Sequence, residues 1–517
     1  MTTVTVPSLY NNCLQKTFDC LMEEFWRGCP ENPFERVPSS IVNDLFRLLK
    51  SPEIPMKVRH LEMYTPPSMT KMSPDVLTIP PNFTKLHLLI SSGQLTYVDL
   101  SLRGSCMCDW DSVDFKKLFK LMTPEACKNI RFLALPFEFR CFMCDVIPEL
   151  VKRCPKLEYL KTYQYFDLAV LKSCNNLRSV RIHNLDTNFV PFPWKPADFQ
   201  LFLKNLKIFD VFRHHEFSLL EEKMAQILLW GPKLISVGQI DTASALDYIY
   251  RSADSAALDA PQTALKRCYW GRNPMWNEFT DEYFYPRAYK SRYPEIIRNA
   301  ALSCPMLEEL IINVIHPDCL QQLRHLKRLD VLCVMFGASG EDCFTAFLDL
   351  LRDFGHQLRH LSISASYKIP VNGVCERCPN LLSLEIYRTG TVSEIVETCE
   401  NLKHLKTLYV CEVDTECLLF LLQNCFGLEE LFIYNAACLN DEILNEILMK
   451  NPFLDLKNLH IQQSALSDNG LQTFLKSAEN LEKFIVELTS EHDSIRKSPN
   501  YSSTPHALEC LFDEYRF

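Results

Sequence analysis

The residues of this chain whose types and spacing could do chemistry are its cysteines. Cys106-Met107-Cys108 and Cys141-Phe142-Met143-Cys144 are spaced as ligand hooks, and Cys375-Glu376-Arg377-Cys378 adds a Cys-x-x-Cys. Tetrahedral zinc needs two such pairs to converge on one point. Cys378, however, sits in a motif that recurs along the chain, and Cys141 to Cys144 open what should be a helix. Buried thiols acting as small apolar groups are therefore the expectation, with no metal and no cofactor. The sequence contains no phosphate-cradling glycine loop, no Gly-x-Ser-x-Gly and no His-Glu-x-x-His. With 13 glycines in 517 residues it has few of the strained turns such motifs need, so an enzyme is not expected.

Charge and hydropathy narrow the partners. Lys and Arg number 54 against 64 Asp and Glu, a net charge of -10, which argues against a nucleic-acid groove. No 18-residue apolar run occurs, and Met1-Thr2-Thr3-Val4-Thr5-Val6 lacks the basic start of a signal peptide. These features predict an intracellular protein, cytoplasmic or nuclear, with neither nucleic acid nor membrane as partner. What remains is binding to protein.

The elements that must position any binding residues are repeats. Cys378-Pro379-Asn380-Leu381-Leu382-Ser383-Leu384-Glu385-Ile386 is rewritten at Cys425 to Ile433, at Cys304 to Ile312 and, in its opening, at Cys154 to Leu160. The core is Leu-x-x-Leu-x-Ile. Looser copies begin at Leu95, Ile130, Leu177, Leu206, Leu234, Leu326, Leu358, Leu405, Leu456 and Leu481. From Leu358 onward the starts fall 23, 24, 23, 28 and 25 residues apart, a leucine-rich repeat period. The last apolar pair alternates with polar or aromatic residues, as a strand with one buried face does. A helical α/α array is the alternative, with longer repeats. The predicted fold class is α/β: a leucine-rich repeat solenoid, a curved horseshoe with parallel strands on the concave face and helices outside, carrying an N-terminal helical box.

Domain organisation follows from where the period holds. Residues 1–52 form the helical box, 53–490 the repeats, and 491–517 a polar tail and C-terminal cap. Within the repeats, 241–303 lacks a clear motif and is rich in tyrosine and tryptophan. Degenerate repeats with a long loop are the preferred reading there, ahead of an inserted binding element. Cys154, Cys174, Cys304, Cys378 and Cys425 all stand shortly before the first leucine of their motif. That placement resembles the cysteine-containing leucine-rich repeat, in which the thiol is buried between repeats.

In the box, Ser8 can cap a helix over 7 to 28, stopped at Gly28-Cys29-Pro30, and Pro38 starts a second helix that breaks at Ser51-Pro52. Leu9, Cys13 and Thr17 fall at i, i+4 and i+8, a stripe suited to a partner's apolar groove. Ser8 to Thr17 resembles the elongin BC box, and Val37-Pro38-Ser39-Ser40-Ile41-Val42-Asn43-Asp44-Leu45 resembles the cullin-2 box. The pair, followed by leucine-rich repeats, is similar to the Zyg-11 and Zer-1 type of substrate receptor. The resemblance implies that Leu9 and Cys13, with Thr17 where the pattern has an aliphatic residue, engage elongin C, and that Pro38, Ile41 and Leu45 face cullin-2. It implies elongin B as a further partner and a ubiquitin ligase complex as the assembly. Armadillo-like repeats, which read an N-terminal glycine in that family, are missing, so no substrate class is implied. The second helix also resembles the opening of an F-box, with Skp1 as partner. A scaffold outside any ligase would bury Leu9, Cys13, Ile41 and Leu45 against the first repeat, whereas a receptor leaves much of the stripe exposed.

Binding of a protein substrate is expected on the strand face. With the last Leu and Ile of each motif inward, Tyr387, Tyr409, Glu430, Phe432, Tyr434 and His460 point outward as an aromatic strip with acidic companions.

Overall fold

In a computed structural model the described residues are 10, 13, 14, 16, 17, 37, 38, 41, 45, 71–72, 95–99, 122–135, 146–162, 168–182, 203–211, 220–252, 262–271, 287–336, 341–365, 369–387, 390–391 and 398–487. The chain divides into two compact units, Met1–Leu220 with Gln226–Ser236, and Glu221–Ala225 with Val237–Phe517. Both are leucine-rich repeat stacks of parallel strands.

In the first unit β1 (Lys71–Met72), β2 (Tyr97–Asp99), β3 (Phe132–Ala134), β4 (Tyr159–Thr162), β5 (Ser179–Ile182) and β6 (Ile208–Val211) pair in parallel, each with the next. Strand β7 covers Ser236–Asp241. In the second unit β8 (Arg267–Trp270), β9 (Glu309–Val314), β10 (Val331–Phe336) and β11 (His360–Ala365) continue the pattern. A small pair, β12 (Ile369–Pro370) with β14 (Gly390–Thr391), lies beside the main sheet, in which β11 is followed by β13 (Ser383–Tyr387), β15 (Thr407–Cys411), β16 (Glu430–Tyr434), β17 (Asn458–Gln462) and β18 (Lys483–Glu487).

Each strand of the main sheet from β11 on starts two residues after a predicted motif leucine, and His360, Ser383, Thr407, Glu430, Asn458 and Lys483 stand in register. One start is corrected. Leu326 does not open a repeat; the strand β10 follows Leu329, because the Asp330 and Val331 N–H groups are the ones that bond to Glu308 O. Leu326-Lys327-Arg328-Leu329-Asp330-Val331 and Leu329 to Val334 are overlapping copies of one pattern, and pairing chooses the second.

Inward positions fill the core. Leu384, Ile386, Leu408, Val410, Leu431 and Ile433 are completely buried. A turn precedes most of the main-sheet strands, in which the N–H of the first motif leucine bonds to the carbonyl three residues back: Leu157 to Cys154, Leu177 to Cys174, Leu307 to Cys304. The residue accepting that bond is Cys127, Cys154, Cys174, Cys304, Gly231 or Gly355 in some repeats and Leu203, Leu326, Leu402, Phe453 or Ala478 in others, and it is buried in every one of them. Where glycine holds the position, close approach of the next repeat requires it, since a Cβ on Gly355 would stand 2.3 Å from Arg377 O.

Segment 241–303 contributes helix Ala243–Ser252, β8 and helix Arg287–Ser303. Its motif is Leu265-Lys266-Arg267-Cys268-Tyr269-Trp270, with Cys268 and Trp270 where other repeats carry Leu and Ile. Trp270 and Tyr293 are fully buried, and Tyr293 OH donates to Asn313 O at 2.6 Å. The two helices share a buried charge: Asp247 accepts from Asn299 Nδ2 at 2.7 Å, Arg251 Nε at 2.9 Å and Arg292 NH2 at 3.2 Å. On the C-terminal helices Thr415–Asn424, Asp441–Lys450 and Asp468–Ser477 the caps recur with the period, Asp414, Asn440 and Ser467 each accepting from the N–H three residues on. Cys106, Cys108, Cys141, Cys144, Leu9 and the tail 491–517 lie outside the described residues.

Asn451 offers a test of how the repeats are tied. Its amide donates to Leu422 O and Cys425 O at 2.7 and 3.1 Å and accepts from Phe453 N at 3.1 Å, all buried. Asn451→Ala strands two carbonyls and an N–H, and should lower the unfolding free energy in urea by about 2–4 kcal/mol.

Candidate functional site

Parallel pairing in register turns repeat positions into rows. On the side of the second unit's sheet opposite the buried leucines, the central row runs Cys333, Ser362, Glu385, Tyr409, Phe432, His460 across β10 to β17. Beside it runs Met335, Ser364, Tyr387, Cys411, Tyr434, Gln462. Neighbouring strands are about 4.8 Å apart, so side chains in a row must touch.

The rings do touch. Centroids lie 4.7 Å apart for Tyr387 and Tyr409, 5.0 Å for Tyr409 and Tyr434, and 4.9 Å for Tyr434 and His460. Phe432 stands 6.2 Å from Tyr409 and 6.3 Å from His460. Tyr434 OH and His460 Nδ1 are hydrogen-bonded at 2.8 Å, and Glu430 Oε1 accepts from Asn458 Nδ2 at 2.9 Å. The structure thus brings the six substrate-face residues named from the sequence onto three adjoining strands and their neighbour β13. Their accessibility differs from the expectation of an open strip. Tyr387 and Tyr409 are only 7% and 9% exposed, because each ring is covered by the next; Glu430, Phe432, Tyr434 and His460 are half-buried.

By the same alternation Glu385 faces the open side beside Tyr387, although it is not among the six residues named from the sequence. It is 7% exposed, and Oε2 has no hydrogen-bond partner among the described residues. Burial raises its carboxyl from 4.5 to about 7, while the nearby Ser362 hydroxyl, outside bonding geometry with Oε2, pulls the other way. Alternation alone shows only that Glu385 faces away from the core; its burial comes from the neighbours on β11 and β15.

The thiols of Cys333 in the central row and of Cys378 are not activated. Burial pushes the Cys333 and Cys378 thiols up to about 12, which keeps them protonated. Among the described residues no group of three or more His, Cys, Asp and Glu is arranged to hold a metal, and Cys375 and Cys378 are both buried free thiols. No described helix is long and apolar enough to cross a membrane.

The N-terminal candidates are partly described. Cys13 is exposed and Thr17 half-buried, and the Thr17 hydroxyl donates to Cys13 O at 2.8 Å, as one turn of helix requires. Pro38 is exposed, its carbonyl accepting from Ile41 N at 3.0 Å, and Ile41 is half-buried. Leu45, expected on the cullin-2 face, is 0% exposed in the chain by itself. Its side chain is therefore already packed.

No protein-family model matches the chain, and no curated protein matches it in sequence. Among solved structures it is similar to the complex of Rad7 and Elc1 in yeast (14% identity, TM-score 0.37, 90% of this chain and 96% of that one). It is also similar to a leucine-rich repeat protein of Leptospira interrogans (12%, 0.33, 83% and 93%) and to the mouse RP105/MD-1 complex (12%, 0.32, 81% and 85%). Likenesses at this level say nothing about activity or partners.

Two outcomes follow for the ladder. Tyr409→Ala, which removes a ring packed between two others, should cost about 2–4 kcal/mol in urea unfolding, more than Phe432→Ala at its half-exposed site. For Glu385 the unfolded chain loses its proton near 4.5 and the folded chain near 7, so stability should fall by about 3 kcal/mol as pH rises through that window and level off above it. Glu385→Gln should flatten that part of the stability profile.

Proposed function

We propose that this chain is the substrate-recognition subunit of a cullin-2 ubiquitin ligase, joined to it through elongin C and elongin B and binding a protein substrate on the open strand face. The observation that supports the adaptor reading is the exposure of Cys13 on a helical turn shared with Thr17, the spacing at which the elongin BC box presents its small thiol. A helix that keeps such a residue in water in the isolated chain has a surface to give a partner.

The chain supplies binding and no chemistry. Holding a substrate beside a ubiquitin-loaded enzyme carried by the cullin converts an encounter between separate molecules into a nearly intramolecular transfer. Rings and side-chain oxygens arranged over several strands suit recognition of an extended protein surface.

The burial of Leu45 favours a second reading for the helix after Pro38, in which that helix docks on its own chain and the box serves an F-box with Skp1, or a scaffold outside any ligase. Co-purification separates the three. The intact chain should bring down elongin B, elongin C and cullin-2, and the Leu9→Ser, Cys13→Ser variant should lose all three while remaining folded, a loss of about tenfold or more in affinity. Skp1 in their place would mean an F-box, and no ligase component at all would leave a binding scaffold.

A further inference from the structure

One place on the open face has more hydrogen-bonding capacity than the chain uses. Ser362 Oγ, Glu385 Oε2 and Tyr387 OH are buried, and none has a hydrogen-bond partner among the described residues. A buried polar group left without its hydrogen bond is costly. The three sit on adjacent strands, with Ser362 directly opposite Glu385 and Ser364 opposite Tyr387 in the register of β11 and β13. All three are oxygens able to accept.

The surroundings set further limits on an occupant. From β10 to β17 the outward positions carry the carboxyls of Glu385 and Glu430 and no lysine or arginine. On the β10 side the row is apolar, with Cys333 3% and Met335 7% exposed; on the β15 side Tyr409 stacks on Tyr387 at 4.7 Å. Between these flanks β11 contributes only serines, the smallest side chains in both rows. The result is an acidic, oxygen-lined notch with an apolar wall and an aromatic wall.

We infer that this notch receives the side-chain ammonium of a lysine carried by the protein bound on the open face. An ammonium has three N–H donors for the three oxygens, and its charge is met by the carboxylate and by the electron-rich faces of Tyr387 and Tyr409. The slender, unbranched lysine stem suits an opening at which Glu385 and Tyr387 are each 7% exposed, with Met335 and Cys333 beside its methylenes. A planar guanidinium is wider, and a backbone amino terminus lacks the stem to reach in. The inference rests on the reading of this face as the substrate face.

Binding a cation requires Glu385 to be ionised. Its carboxyl titrates near 7, and the titratable groups facing it are Cys333, Tyr387 and Tyr409, all kept neutral by burial, with His360 in the outer row of β11. Affinity for an ammonium should therefore rise about tenfold between pH 6 and pH 8, following the ionised fraction of one group.

The test is calorimetric titration of the full chain with Nα-acetyl-lysine N-methylamide, beside the arginine and norleucine analogues and glycine N-methylamide as a free α-amine. The expected result is saturable binding of the lysine probe alone, stronger at higher pH, and weakened at least tenfold by Glu385→Gln and by Ser362→Ala in proteins that remain folded at both pH values. Loss of the pH dependence in Glu385→Gln is the readout that mere loosening of the fold would not produce. Equal binding by both variants, preference for the arginine or α-amine probe, or no binding of the lysine probe would overturn the inference. A Phe432→Ala, Tyr434→Ala protein distinguishes this from the broader reading. If it loses substrates crosslinked by the unaltered chain while the lysine probe fails, the face binds substrate and the notch does not. If it retains them while the probe behaves as expected, the notch stands and the ladder is not the substrate surface.

Discussion

One carbonyl per repeat holds the stack together. The Arg131 carbonyl accepts from both Glu158 N and Tyr159 N, that of Glu158 from Arg178 and Ser179, that of Arg359 from Leu382 and Ser383, and that of Lys457 from Glu482 and Lys483. Two successive N–H groups at the start of every such strand are thereby pinned to a single point on the preceding one. A shift of one residue would break both bonds and move every buried leucine to the open side. This clasp, rather than the leucines themselves, decides between competing copies of the motif, as at Leu326 and Leu329.

Once the register is set, both faces follow. Inward, the residue accepting the turn bond is buried against neighbouring repeats, as cysteine or glycine in several of them and as a larger apolar residue in others, and the thiols there form no disulfide. Outward, side chains at one motif position are forced into contact along the row. Rings in that setting stack, and a carboxyl in it loses water. The same geometry that stabilises Tyr387 and Tyr409 raises the pKa of Glu385. Buried rings and a neighbouring carboxyl with spare acceptors therefore have one cause.

The two ends of the functional reading rest on different physics. At the repeats, the proposed recognition would use a sheet whose packed rows leave little freedom for rearrangement, so affinity would be gained with little ordering cost on this side. At the box, it would use a helix turn that leaves Cys13 in water while Leu45, further along, is packed away. An adaptor needs both a firm surface for one partner and an open one for another.

The sequence by itself determined the repeat class, the strand positions from Leu358 onward and which residues face outward, because a period and an alternation are local properties of the chain. It concealed β8, where Cys268 and Trp270 fill core positions that leucine and isoleucine hold elsewhere, since volume between repeats is what the core selects. The choice between Leu326 and Leu329 was likewise beyond it, being made by bonds to Glu308 in another repeat. Only the tertiary structure decided that Tyr387 and Tyr409 are covered, that Leu45 is packed, and that Ser362, Glu385 and Tyr387 lie on neighbouring strands with buried oxygens. Exposure and proximity depend on which strands lie side by side, and residues more than twenty positions apart in the chain become neighbours only when the stack forms.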